Sequence, residues 1–187
     1  MKLYIYVVTH DAGFAPNPFW DYCTLATCKP TIRRCASVGD WVAGMGSMRN
    51  VGHGKLIYAM KISEILPFLD YDADLRFNKK KPNASGIIEE RCGDNIYYKT
   101  PNNEWKQRES NHKMKHMERD LKGRNVLIAG HFYYFGKDAV KVPQEYNSLV
   151  PKGRGHLCNF DAVLVNDFLT WLQKTFKTGI HGKPYSI

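Results

Sequence analysis

The stretch Val38-Gly39-Asp40-Trp41-Val42-Ala43-Gly44-Met45-Gly46 leaves this chain few ways to fold. Gly39 tolerates the positive φ of a tight turn, and the Asp40 carboxylate can accept hydrogen bonds from the backbone around it. Behind the turn Trp41, Ala43 and Met45 alternate with Val42, Gly44 and Gly46, the period of two that marks a strand. One face of that strand carries bulk. The other is so bare that a flat group or a second backbone can lie against it. The sequence therefore predicts a turn that feeds directly into a sheet, with the basic run Lys29-Pro30-Thr31-Ile32-Arg33-Arg34 just upstream.

Other segments supply partners for that strand. Lys2 to Thr9 is apolar on both faces, Leu3, Ile5 and Val7 against Tyr4, Tyr6 and Val8, as a central strand covered on both sides must be. Leu56 to Ser63 alternates as a half-buried strand, and Asn125 to Gly136 gives another long strand signal. Gly93-Asp94 repeats the glycine-aspartate device ahead of a hairpin, Ile96–Lys99 against Trp105–Arg108, reversed at Pro101-Asn102-Asn103. Short helices are expected within 67–76 and 112–121. The clearest helix follows Asp161 as N-cap, with Leu164, Phe168, Leu172 and Phe176 every fourth residue and Gly179 beyond its end. With no repeat and no linker, residues 1–187 read as a single α+β domain. Its sheet is expected to be mostly antiparallel, curved or barrel-like, and packed by helices that include the C-terminal amphipathic one.

Charge narrows the function classes. The 27 Lys and Arg against 18 Asp and Glu give a net charge of +9, which favours an anionic partner: DNA, RNA or a nucleotide. No apolar run approaches the ~20 residues of a membrane-spanning helix, so no membrane role and a cytoplasmic location are expected. Five cysteines without framework spacing fit reduced thiols. Cys23, Cys28 and Cys35, even with His10 or His53, lack the tight pairing of a zinc site, and the sequence predicts neither a metal nor a cofactor. Cys35 and Cys92 follow Arg34 and Arg91, but neighbours along a strand point to opposite faces, which argues against an activated thiol there.

The positive case is binding. Lys29, Arg33 and Arg34, with Lys106, Arg108, Lys152 and Arg154, can meet phosphates. Trp41, Tyr97 and Trp105, or Tyr98 and Tyr133, can stack on a base, although about half of such rings belong to a core. Asn17, Asn95 and Gln107 carry both donor and acceptor and can read a base edge. Ser110 and His112 complete the set. The alternative is an enzyme acting on a nucleotide or modified base, with Asp40 or Asp94 and His112 as acid–base groups. A third reading is a basic scaffold for another protein.

Several segments, taken in order, resemble the nucleotide modification-associated domain 2 family of bacteria and phages. They are Phe14-Ala15-Pro16-Asn17-Pro18-Phe19, Cys28-Lys29-Pro30 with Ile32-Arg33-Arg34, Val38-Gly39-Asp40-Trp41-Val42, Gly93-Asp94-Asn95-Ile96-Tyr97 with Ser110-x-His112, and Phe132-Tyr133-Tyr134-Phe135-Gly136. The resemblance implies a part in systems that make or handle modified bases in DNA, without a defined reaction. The Val-Gly-Asp-Trp-Val segment is also similar, more loosely, to the small barrels of PUA, ASCH and EVE type that bind RNA or modified bases.

Overall fold

The computed structural model describes residues 1–153 and 155–186. Its strands and helices in chain order are β1 Leu3–Val8, β2 Cys23–Leu25, α1 Pro30–Cys35, β3 Trp41–Gly46, β4 Lys55–Lys61, β5 Glu64–Pro67, α2 Phe68–Ala73 and α3 Ile88–Arg91. There follow β6 Tyr97–Lys99, β7 Trp105–Gln107, α4 Met117–Leu121, β8 Asn125–Ala129, β9 His131–Tyr134, β10 Val140–Lys141, β11 His156–Leu157, α5 Ala162–Thr175 and β12 Gly179–Ile180.

The glycine-aspartate turn does what its residues dictate. Gly39 has φ +91° and donates its N–H to Ile62 O, while Asp40 accepts from the N–H groups of Lys2 and Ser37 at 2.7 and 3.0 Å. One carboxylate thus ties the start of β1 to the start of β3, and the two strands run parallel, Leu3 opposite Trp41 through Val8 opposite Gly46. The main sheet has the order β11-β1-β3-β4-β9-β12, with β10 continuing along β4. Most pairings are antiparallel, as expected; β1–β3 and β9–β12 are parallel.

Two strands leave this sheet without breaking. The chain of β4 carries on through Ile62 and Ser63 into β5, and β8 passes through Gly130 into β9, so β5 and β8 build a second sheet of order β2-β8-β5. The architecture is curved, but the main sheet ends on β11 and β12, and no closed barrel forms among the described residues. No described helix is long and apolar enough to cross a membrane.

Three cores follow from the alternation read in the sequence. Leu3, Ile5, Trp41, Ala43 and Met45 pack under α5 through Val165, Phe168, Leu169 and Leu172. On the opposite face Tyr4, Tyr6, Val8, Val42 and Tyr58 meet Ile32 of α1 and Cys23, Leu25 and Leu127 of the second sheet. The bare face of β3 is filled by the protein itself: a Cβ on Gly44 would run into the Tyr58 ring and Val8, and Tyr58 shares a 2.9 Å hydrogen bond with Tyr6. A third core lies between the β6–β7 hairpin, α2 and β8, with Phe68, Tyr71, Phe77 and Tyr97.

The basic run upstream of the turn, to which the sequence assigns no element, forms helix α1. Pro30 starts it, where its missing N–H costs nothing, and Ile32 and Arg33 point inward.

Candidate functional site

Two adjoining clefts open at the end of β1. The first, about 360 Å³, is lined by Tyr6 to His10, the segment Cys28 to Ile32, Arg119 and His156. The second, about 620 Å³, shares Val7, Thr9, Lys29 and Gly155 with it and adds His53 and Lys152. Lys29, Arg119 and Lys152 supply cations, and no Asp or Glu lines either cleft among the described residues. Lys29 lies with Nζ 4.2 Å above the Tyr6 ring, and burial, helped by Arg119, lowers its pKa.

The floor of the first cleft is the turn between β2 and α1. Cys28 and Lys29 have φ +58° and +38°, left-handed backbone that costs an L-residue roughly 1–2 kcal/mol. The surroundings hold them there. Cys28 N–H donates to Asp120 Oδ1 at 3.1 Å, and Cys28 O accepts from Arg33 Nε at 2.8 Å. The same guanidinium donates to Asn125 O at 2.7 Å and to Asp120 O at 2.5 Å, and a Cβ on Gly123 would strike it. Burial pulls the pKa of Arg33 down to about 10, against the attraction of Asp120, so it stays a cation at neutral pH.

Beneath the turn three side chains stand in series. Cys28 Sγ is 3.4 Å from His112 Nε2, and His112 Nδ1 is 2.6 Å from Asp120 Oδ2, which also accepts from Tyr97 OH at 2.9 Å. The His112 ring touches Phe14 and His116, with centroids 4.9 and 4.8 Å away. Burial opposes a charge on His112, but its hydrogen bonds to Asp120 and Cys28 outweigh this and raise its pKa to about 9. Burial likewise opposes the charge of Asp120; His112, Tyr97 and Arg33 overcome it and hold the carboxyl below its ordinary range. The arrangement lets a proton pass between Sγ and Nε2 while Asp120 fixes the other ring nitrogen.

Of the residues singled out in the sequence, Lys29 and His112 belong to this assembly. Ser110 shapes it, its hydroxyl accepting from His112 N–H at 3.3 Å. Arg33 supports the floor from inside and cannot reach a phosphate, because it is fully buried. Asn17, Trp41, Asn95 and Tyr97 are also buried, against the expectation of base contacts. Asn17 donates to Cys92 O and accepts from Lys80, Asn95 donates to Tyr71 O, and Trp41 stacks on Tyr133. Arg34 is exposed but lines neither cleft, and half-buried Trp105 packs on Phe68 under Lys99. Arg108 is paired with Asp72 at 2.8 Å, and Arg154 lies outside the described residues.

The two expected acid–base carboxylates are elsewhere. Asp40 serves the turn before β3, and Asp94 is buried, accepting from Thr24 and Tyr71 hydroxyls at 2.7 Å each. The carboxylate of His112 is Asp120. The sequence shows it only as one charge in a short polar helix; the one available signal was its position eight residues after His112. Cys23 is sealed in a core and Cys35 is exposed, so the loosely spaced cysteines do not gather around Cys28. Among the described residues no three His, Cys, Asp or Glu side chains are placed to hold a metal ion.

A family model described as nucleotide modification associated domain 2 matches residues 1–187. No curated protein and no solved structure matches the chain.

Proposed function

The chain belongs to the nucleotide modification associated domain 2 family, and from that premise we propose that it binds a nucleotide, free or within DNA or RNA, in the paired clefts beside Lys29. The observation that carries this reading is the lining: Lys29, Arg119 and Lys152 with three histidines, His10, His53 and His156, and no carboxylate in the lining among the described residues, the nearest acid to Arg119 being Asp120 at 3.6 Å beneath it. Phosphate is the anion such a surface suits, and the family description makes a modified base the favoured cargo. Within a DNA-modification system the domain acts as a reader of that base. The series Cys28–His112–Asp120 at the cleft floor favours a second reading, chemistry on the bound nucleotide.

Fluorescence anisotropy with a short single-stranded oligonucleotide, and with a nucleoside monophosphate as competitor, tests the site. Lys29→Glu combined with Arg119→Glu is expected to weaken binding more than tenfold at low salt. Arg34→Glu, equally cationic but outside the clefts, is expected to retain it within about threefold, a surface charge acting only at long range. Equal losses from both changes, or no binding at low salt, would overturn the proposal.

A further inference from the structure

We propose that Cys28 is a covalent nucleophile, with His112 as the proton-carrying partner of its sulfur and Asp120 as the positioning residue, acting on an acyl-type carbon (an amide or ester) carried by an anionic, nucleotide-like molecule. The geometry supplies each part. The thiol lines the cleft, the imidazole stands behind it at 3.4 Å, and the carboxylate is fully buried at 2.6 Å from the far nitrogen. A thiol, a base and an orienting acid in that order are what acyl transfer through sulfur requires. The backbone fixes where the sulfur stands. Cys28 sits in left-handed conformation on a strand-to-helix turn, held by Asp120 and Arg33. Such a conformation persists only where the surroundings over-determine it, and here they keep Sγ beside His112.

The step balances with water as the only co-reactant. With His112 charged at rest, the proton of the pair already sits on Nε2, and Sγ attacks as the thiolate and bonds the carbonyl carbon. The bond from that carbon to the leaving nitrogen or oxygen breaks, and His112 gives the proton to the leaving amine or alcohol. Water then gives a proton to His112 and its oxygen to the thioester carbon. The S–C bond breaks, a carboxylic acid departs, and the thiolate is left beside a protonated His112, as at the start. No oxidant or reductant takes part.

The identity of the substrate's anionic half rests on the nucleotide-cleft reading above; the reactivity of the thiol does not. The two are separated by following iodoacetamide labelling of the individual cysteines by peptide mass spectrometry. Exposure alone ranks Cys35 and Cys158 ahead of half-buried Cys28. The proposal reverses that order: Cys28 is expected to react at least tenfold faster than either at pH 7. His112→Gln is expected to bring it down to their rate. Asp120→Asn is expected to slow it and to shift the pH midpoint of labelling, a readout that a purely structural role does not move. The charged and titratable groups facing this pair are Lys29 and Arg119 on the cleft side and His116, Tyr97 and Arg33 beneath.

p-Nitrophenyl acetate serves as the acyl probe. One equivalent of nitrophenol is expected in a burst, with the acetyl group on Cys28 and none in Cys28→Ser. Cys28 labelling no faster than Cys35, or unchanged by His112→Gln, overturns the nucleophile. Fast labelling without an acetyl adduct overturns the acyl assignment. Fast labelling and acetylation that an oligonucleotide does not slow uphold the thiol chemistry and overturn the nucleotide-bound substrate.

Discussion

Arg33 shows how far a single residue can depart from what its type suggests. A basic side chain in a cationic run reads as a phosphate contact, yet its guanidinium is buried and donates to the carbonyls of Cys28, Asp120 and Asn125. Replacing it with Met is expected to leave three buried acceptors without donors and to cost about 3–5 kcal/mol, measured by urea denaturation. A loss under 1 kcal/mol would contradict the clamp. Nothing in the sequence distinguishes Arg33 from Arg34, because inward and outward positions on a six-residue helix are fixed by what packs against it. The sequence singles out His112 as a candidate; it does not reveal that Cys28 and Asp120, 84 positions before it and eight after, are its hydrogen-bond partners. The pH behaviour of this residue follows from its pairing. Its folded pKa of about 9 lies above the ~6.5 of an unfolded histidine. The pair with Asp120, with Cys28 and His116 also facing the ring, therefore contributes stability that is full below about pH 6.5 and lost as pH rises through about 9. The difference in urea midpoint between wild type and His112→Gln is expected to shrink across that window; a constant difference would refute the charged pair.

At the scale of elements, the sequence was most informative where a period runs long. The doubly apolar β1, the alternation of β3 and β4, the hairpin β6–β7 and the four-residue repeat of α5 under its Asp161 cap all stand where their patterns put them. Short elements such as β2, α3, β10, β11 and β12 carry two to four residues each, too few for a period to rise above noise, and tertiary pairing alone defines them. The glycine-rich face of β3, expected to lie open to a flat group, is instead filled by the Tyr58 ring from the next strand. Gly44→Ala puts a methyl into the space of that ring and of Val8, at an expected cost of about 1–3 kcal/mol. Thermal unfolding checks it: an unchanged midpoint would show that Tyr58 can move aside freely.

For the whole molecule, a net charge of +9 matters less than where the acids are missing. Acidic side chains are tied up around Arg76, Arg108 and Lys122, and of the cleft cations Arg119 also lies 3.6 Å from Asp120 Oδ1. If Lys29, Arg119 and Lys152 each meet a phosphate of single-stranded DNA, the logarithm of affinity is expected to fall with the logarithm of salt at a slope near −2, about −0.7 per contact. Each cation removed is expected to flatten that slope by roughly one such step. A slope untouched by their removal would place the polyanion elsewhere.

Cys28 meets His112 only because the first strands and the α4 region have been brought together across more than eighty residues, with Arg33 and Asp120 fastening the join. On the nascent or denatured polypeptide the same sulfur is an ordinary one, indistinguishable from its four counterparts. Its labelling speed therefore doubles as a clock for assembly, timing when this long-range seam of the molecule closes.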